Sequence, residues 1–397
     1  MRIIKSLLAL LVFAGLSTVS NAQIAIKGEK VYTMNGDPIM NGVVLIKDGK
    51  VERVGTANRV SIPSGYTVYE AKVVTPGLID AHSVVGLAGH LNQDHDQDQL
   101  ETSSAIQPEL RAIDAYNARE ALVGHLRSLG ITTVHTGHGP GALISGQTMI
   151  VKTTGETVTE ALVDSTTMLA FTMGNMISGA ISRPGTRSKG VAMLRQELIK
   201  AQGYAEKRAS DDPPAVDLGM EALADLLEGK VSALITVHKA NDIMTALRLQ
   251  EEFGFPMVLD GAAESYLIID QIKQAGVPVI IHPTMMRTYG DGQNASMETA
   301  GKLYEAGIPI AFQSGYEGYV PKTRVVLFEA GVAAANGLGS DNALRVLTIE
   351  AAKILGLEER LGSLERGKDA DVVLFDGDPF EYTTQVTGVI IDGVKVK

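Results

Sequence analysis

The residues with the greatest potential for chemistry are three histidines and two aspartates at the ends of short apolar runs: His82, His238, His282, Asp80 and Asp260. Imidazole and carboxylate groups transfer protons near neutral pH or hold a divalent cation. If the apolar runs are strands of one parallel barrel, their carboxyl ends meet at one edge and these side chains face one pocket. The pattern therefore predicts a binding site built from these five residues.

The absence of cysteine limits this chemistry. The 397-residue chain has no cysteine and eight histidines. Disulfides, thiolate zinc sites, iron–sulfur clusters and a cysteine nucleophile are therefore excluded, and any metal must be held by histidine and carboxylate. The formal net charge of −11 also argues against a nucleic-acid partner, because phosphate binding needs clustered lysine and arginine.

Other polar motifs have simpler interpretations. The Asp- and Gln-rich tract at residues 92–99 lacks the glycine and terminal glutamate of a calcium loop, which favours a solvated loop. The glycine-rich stretch with His135 and His138 lacks the context of a nucleotide fingerprint, so it is interpreted as a backbone turn. Ser83 and Ser314 cannot be assigned to a catalytic triad, because triads are assembled in space rather than along the sequence.

The first 22 residues are predicted to be a cleaved signal peptide. Arg2 and Lys5 precede an apolar run at residues 7–16 that is too short to span a bilayer, and small residues predict cleavage after Ala22. The alternative is an uncleaved anchor. No later run has the roughly 18 apolar residues of a membrane helix. The protein is therefore expected to be periplasmic or secreted, without a membrane anchor.

Both ends of the remaining chain are predicted to form β-hairpins. Asp48-Gly49 and Asp392-Gly393 each separate two apolar runs. This dipeptide favours a hairpin, because both turn residues need positive φ. Neither end has enough strands to be stable alone. Residues 23–75 and 362–397 are therefore predicted to pair into one small composite β-sandwich domain.

Residues 76–361 alternate short apolar runs with segments of 3.6-residue periodicity, which predicts an α/β fold of the (β/α)8 TIM-barrel class. Helical candidates include residues 112–129 and 341–355. The candidate strands are Val73–His82, Thr132–His135, Thr148–Lys152, Met168–Thr172, Ala233–His238, Pro256–Leu259, Val277–His282 and Ile308–Gln313.

Two long motifs resemble the amidohydrolase superfamily. Residues 73–86, VVTPGLIDAHSVVG, resemble its first barrel strand, and residues 342–379 resemble its last helix and the return into its β-sandwich. The middle of the chain resembles an imidazolonepropionase- and prolidase-like bacterial subgroup. The resemblance implies a distorted barrel with a composite sandwich. It also implies hydrolysis of C–N bonds at one or two divalent metals, which activate a water molecule.

The same resemblance implies metal ligands that this chain mostly lacks. Where the family has a pair of histidines after the first strand, this chain has His82 and Val84. Where the family has a histidine after the fifth strand, this chain has Thr236. Gly261 occupies the position of the family's next histidine, and Gly315 occupies the position of the aspartate that acts as general base in the family. The region of the fourth strand offers no lysine or glutamate. Only His82 remains, as a vestigial metal ligand.

Two functions stay open at this point. The first is an exported homologue without a cofactor and without catalysis, which binds a small molecule or peptide or forms an oligomer with an intact amidohydrolase. The second is a hydrolase of C–N bonds in small peptides or cyclic amides. It would hold zinc or another divalent metal through His82, His238 and His282 with Asp80 or Asp260. The residues at the ligand positions favour the first function, because the residues of the site, rather than the fold, determine the activity.

Overall fold

The computed structural model of the protein describes residues 23–91, 93–177, 179–181, 184–285, 290–316 and 325–397. The predicted signal peptide, residues 1–22, and the first residue of the polar tract, Asn92, lie outside the described residues. No helix in the described ranges is long and apolar enough to cross a membrane.

The described residues form sixteen strands and ten α-helices. The strands are β1 (Ile24–Val31), β2 (Ile39–Lys47), β3 (Lys50–Thr56), β4 (Thr67–Pro76), β5 (Leu78–Ser83), β6 (Ile131–Gly137), β7 (Ile144–Lys152), β8 (Leu162–Asp164), β9 (Met168–Thr172), β10 (Ser232–Val237), β11 (Met257–Gly261), β12 (Val279–Ile281), β13 (Ile310–Phe312), β14 (Val372–Phe375), β15 (Val386–Ile391) and β16 (Val394–Lys395). The helices are α1 (Ala121–Ser128), α2 (Val158–Ala161), α3 (Arg187–Arg208), α4 (Leu218–Leu227), α5 (Ala240–Phe253), α6 (Ile269–Ala275), α7 (Thr299–Glu305), α8 (Val325–Ala333), α9 (Ser340–Arg345) and α10 (Ala351–Ile354).

Both ends of the chain contribute to one seven-stranded sheet, in the order β16-β15-β14-β4-β1-β2-β3. The two predicted hairpins are confirmed, and all four turn residues have positive φ: 52° at Asp48, 77° at Gly49, 49° at Asp392 and 74° at Gly393. The two turns touch, because a Cβ atom on Gly393 would lie 2.8 Å from Gly49 Cα. This close approach explains why both turns end in glycine.

The second sheet is the predicted barrel. Its order is β13-β12-β11-β10-β9-β7-β6-β5, and a parallel bridge between Ser83 and Gly315 brings its two edges together. Apolar side chains fill the interior, including Ile79, Leu234 and Ile280. The polar residues at the carboxyl ends of the strands therefore lie above a packed core.

Two details of the barrel differ from the prediction. The first candidate strand is two strands, because the chain leaves the seven-stranded sheet at Pro76 and enters the barrel at Leu78. The third candidate strand, β7, runs antiparallel to both β6 and β9. Only residues 138–143 join β6 to β7. A parallel return needs a connection of roughly a dozen residues or more, so this strand must reverse direction.

The helix predicted at residues 112–129 is shorter than expected. Residues Ala112–Asp114 form a single 3-10 turn, and α1 begins only at Ala121. The Glu120 carboxylate accepts a hydrogen bond of 2.7 Å from the Leu122 backbone N–H. A side chain that caps this N–H group replaces the preceding helical turn, so the helix begins here.

Candidate functional site

The centre of the site is a buried contact between two of the predicted residues. His82 lies on β5 and Asp260 on β11, and His82 Nδ1 is 3.0 Å from Asp260 Oδ1. Both side chains are almost completely excluded from solvent. Because the strands lie in different parts of the barrel sheet, the contact crosses the interior. It fixes the orientation of the His82 ring.

The Asp260 carboxylate is held on both of its oxygens. The Thr236 hydroxyl donates a 2.6 Å hydrogen bond to Oδ2, and the Gln313 side-chain amide donates to Oδ1. Burial alone would raise the pKa of Asp260, but His82 and the Thr236 hydroxyl outweigh burial, and this pKa lies below its ordinary value. Asp260 is therefore an ionised carboxylate within an internal network.

Asp80 forms a different set of contacts. Its Oδ1 accepts hydrogen bonds from the backbone N–H groups of Ser314, at 3.0 Å, and His82, at 3.4 Å. These contacts tie β5 to the segment after β13, next to the bridge that brings the barrel edges together. Burial raises the pKa of Asp80 to about 6. Among the described residues, its second oxygen has no hydrogen-bond partner.

His238 and His282 are brought together by a residue that the sequence did not single out. The Tyr316 hydroxyl lies 3.4 Å from His238 Nε2. The Tyr316 ring centroid is 6.0 Å from that of His282 and 6.2 Å from that of His82. Tyr316 therefore neighbours all three predicted histidines at the barrel mouth. The role of these residues in binding stays a prediction.

Glu329 is a second residue that the sequence analysis missed. It is completely buried on α8, and both the backbone N–H and the hydroxyl of Thr284 donate to Oε2. Its other oxygen lies 3.8 Å from His282 Nδ1. The contact gives the His282 ring a carboxylate neighbour. The sequence does contain a signal for this residue, since Glu329 is the only charged residue in the apolar α8 sequence VVLFEAGVA.

His135 has a structural role. Its Nδ1 lies 2.7 Å from the Ala81 carbonyl oxygen and its Nε2 lies 2.6 Å from the Thr148 hydroxyl oxygen. Burial, followed by the neighbouring His82, lowers the pKa of His135 to about 3. A neutral imidazole with partners at both nitrogens has little capacity for proton transfer near neutral pH.

The fold and these motifs place the chain among known proteins. The model of the Amidohydrolase family matches residues 73–396. The chain belongs to the amidohydrolase family. This assignment agrees with the barrel, the second sheet and the resemblance of both end motifs.

This amidohydrolase-family chain is similar to several known proteins. It is 24% identical over 388 residues to an imidazolonepropionase from Brucella anthropi, covering 90% of this chain and 92% of the relative. It is 25% identical over 391 residues to the amidohydrolase tasK of Hapsidospora irregularis, but it spans only 39% of that relative. It is also similar to the crystal structure of an amidohydrolase from Thermotoga maritima MSB8. The identity is 30% and the TM-score is 0.88, with 94% of this chain and 99% of the other covered.

In this member of the family, the residues at the ligand positions that the resemblance implies do not fit a hydrolytic metal centre. The Asp260 carboxylate is engaged by three protein groups, as described above. Gly261, where the resemblance implies a histidine, has a φ of 78°, and a Cβ atom there would lie 2.5 Å from His238 Cε1. The His238 ring thus fills the space of a side chain at position 261. Within the described ranges, no group of three histidine, aspartate or glutamate side chains is arranged to hold one ion.

Proposed function

We propose that this amidohydrolase-family protein is a non-catalytic homologue, which uses its barrel to bind a ligand or to partner an intact amidohydrolase. The observation that carries the proposal is the engagement of the Asp260 carboxylate by His82, Thr236 and Gln313. A carboxylate with donors on both oxygens has little capacity left to orient a metal ion or a water molecule. In addition, Gly315 offers no general base at the position implied by the family.

The ligand of this proposal is a small polar molecule or peptide at the barrel mouth. Several buried polar atoms there have no partner among the described residues: Asp80 Oδ2, His82 Nε2 and Ser314 Oγ. Buried polar groups are nearly always hydrogen-bonded, so such atoms are expected to contact ordered water or a ligand. These three atoms offer both donors and acceptors.

Metal content and turnover test this function together. The purified protein is supplied with zinc or manganese, dialysed and analysed by mass spectrometry for metal. Hydrolysis of a panel of dipeptides and cyclic amides is then measured with and without a chelator. We expect well under one metal ion per chain and no hydrolysis above the uncatalysed rate. Stoichiometric metal together with chelator-sensitive hydrolysis would overturn the proposal.

A second candidate is hydrolysis of C–N bonds by a rebuilt site. It is favoured by the grouping of His238, Tyr316 and His282, with Glu329 beside His282. The names of the similar proteins, amidohydrolase and imidazolonepropionase, agree with this class of reaction. Hydrolysis that is lost both in Tyr316→Phe and in the presence of a chelator would favour this candidate over the first.

We also propose that the protein is exported. The proposal is supported by the charged and apolar pattern of residues 1–22 and by the small residues before position 23. The intact mass of the protein recovered from the native cells tests it. A chain that begins at Gln23 is expected, and a full-length chain retained in the cytoplasm would contradict the proposal.

A further inference from the structure

Five buried residues of the barrel form a closed ring of contacts. The side chains of His82 and Gln313 both contact Oδ1 of Asp260. Ser314 follows Gln313 in the chain, and its backbone N–H donates to Oδ1 of Asp80. The backbone N–H of His82 donates to the same Asp80 oxygen, which closes the ring. None of the five residues is more than 1% exposed, so the ring surrounds a buried region near the carboxyl ends of β5, β11 and β13.

Four members of this ring each have a buried side-chain atom that makes no hydrogen bond to the described residues. These atoms are His82 Nε2, Gln313 Oε1, Asp80 Oδ2 and Ser314 Oγ. Asp260 is the member whose two polar atoms are both engaged. A buried polar atom without a partner is rare, because it has lost its contacts with water and gained nothing in return. The ring therefore has four positions at which a bound group can be held.

The Asp260 carboxylate determines the character of two of these atoms. Both of its oxygens accept hydrogen bonds, from the Thr236 hydroxyl and from the Gln313 amide, so it has no proton to offer. The neutral His82 ring must then carry its proton on Nδ1, which leaves Nε2 as an acceptor. Gln313 must present its amide nitrogen to Asp260 for the same reason, which leaves Oε1 as an acceptor.

The other two unpartnered atoms belong to side chains that lie close to each other. Burial raises the pKa of Asp80, and the Ser314 side chain is the group that most opposes this rise, so the hydroxyl lies near the carboxylate. An ionised carboxylate only accepts hydrogen bonds, and a hydroxyl keeps its acceptor lone pairs whichever way its hydrogen points. All four unpartnered atoms can therefore accept a hydrogen bond, and Ser314 is the one with a hydrogen to donate.

The ring also carries negative charge. Asp80 and Asp260 are fully buried, and neither forms an ion pair with a lysine or an arginine in the part of the chain that the structure describes. A buried carboxylate is costly unless a positive group offsets its charge. Water offers two hydrogens and no charge. A cation with several N–H groups matches both the acceptors and the charge.

We propose that this ring binds an ammonium group, which is either the ammonium ion or the head group of a small primary amine. Such a group has three or four N–H donors for the four acceptors, and its positive charge strengthens the hydrogen bonds that it donates. The inference rests on the proposed function, because it requires a site without a metal ion. It assigns that site a ligand of defined chemistry, in which a nitrogen cation offsets the charge of Asp80 and Asp260.

Urea denaturation of the purified protein in four chloride salts tests the proposal. The salts are those of ammonium, methylammonium, tetramethylammonium and potassium, and the last two cations have the same charge but no N–H donor. The rise of the unfolding free energy with salt concentration gives each dissociation constant. We expect ammonium or methylammonium to bind at least about 10-fold more tightly than both controls. Equal stabilisation by all four salts, or none by ammonium and methylammonium, would overturn the proposal.

The comparison of ammonium with methylammonium separates the two sources of the group. Equal affinities would assign the ring to the head group of an amine, whereas much weaker binding of methylammonium would assign it to the free ion. Metal analysis of the same preparation separates this inference from the proposed function. Stoichiometric metal would overturn both, and metal-free protein without a preference for ammonium would overturn this inference alone.

Two variants locate the binding. Asp80→Asn keeps one oxygen for the backbone N–H groups and replaces the unpartnered oxygen by an NH2 group, which donates instead of accepting. Ser314→Ala removes an oxygen that makes no hydrogen bond to the described residues, so it should fold even if Asp80→Asn does not. Asp164→Asn is the matched control, because Asp164 is an exposed residue of β8 that also accepts from a backbone N–H, that of Thr166.

The losses of ammonium affinity should differ among the three variants. We expect a loss of at least about 10-fold in Asp80→Asn and at least about threefold in Ser314→Ala. The control should change by less than about twofold. An unchanged affinity in either site variant that folds would place the ligand elsewhere and refute the assignment.

Discussion

Replacing Lys152 by methionine should test how the barrel and the seven-stranded sheet are joined. Lys152 is the last residue of β7, and its side chain is only 4% exposed. Its Nζ lies 2.8 Å from Asp371, 3.0 Å from Asp392 and 3.5 Å from Asp369. One buried ammonium group therefore holds three carboxylates that come from the C-terminal part of the chain.

The expected loss of stability is large because one carboxylate is left without compensation. Asp369 keeps the cations Lys50 and Arg360, and Asp392 is half exposed. Asp371 is buried, and the structure gives it no other cation among the described residues. Removing one partner of a buried ion pair costs about 3–5 kcal/mol of unfolding free energy. We expect a loss in this range at pH 8.

The loss should depend on pH with a definite sign. Burial already raises the pKa of Asp371, and Lys152 opposes that rise. Without Lys152 the pKa of Asp371 in the folded protein should rise further. A folded state that binds more protons than the unfolded state loses stability as pH increases through that pKa. The loss of unfolding free energy in Lys152→Met should therefore be small near pH 4 and largest at pH 8.

Urea denaturation followed by circular dichroism at the two pH values measures these differences. Lys152→Met/Asp371→Asn should recover most of the lost stability at pH 8, because asparagine removes the unpaired charge. Lys27→Met is a matched control, since its partner Glu70 is exposed and the variant should unfold at nearly the same urea concentration. A loss below about 1 kcal/mol in Lys152→Met at pH 8, or equal losses at both pH values, would refute the reasoning.

Two further predictions concern the barrel core, and both are measured by urea denaturation. Gly261→Ala should destabilise more than Gly276→Ala, because both glycines have positive φ but only position 261 would place Cβ against the His238 ring. The control, Gly276→Ala, should lower the free energy of unfolding by about 1–2 kcal/mol. An equal loss in both variants would contradict the packing described for His238. Thr236→Val should cost about 1–3 kcal/mol, because it removes a hydroxyl donor from the buried Asp260 carboxylate. An unchanged free energy of unfolding would show that this hydrogen bond contributes nothing.

The sequence predicts most of the fold because local rules decide its parts. The Asp48-Gly49 and Asp392-Gly393 turns depend on the backbone freedom of four residues, and both form as predicted. The direction of β7 could not be predicted from periodicity, because an apolar run looks the same in either direction. The direction of β7 is instead set by the length of the connection before Ile144, which is only six residues.

The candidate site was harder to predict because its partners are chemically ordinary. His82 and Asp260 were recognisable by residue type, and they do meet. Thr236, Gln313 and Tyr316 are neutral, and only the closed barrel brings them to the same place. Neutral donors give no signal along a sequence, so the network around Asp260 needed the structure.

The seven-stranded sheet has a consequence for the order of events during synthesis. Strand β14 pairs with β4, so Val73 meets Phe375 and Pro76 meets Val372. While the chain is still being made, β4 presents an open edge whose partner does not yet exist, and such edges invite pairing with other chains. Completion of the sheet must wait until β14, β15 and β16 have been synthesised. The N-terminal strands therefore cannot complete their sheet before residues 372–395 are available.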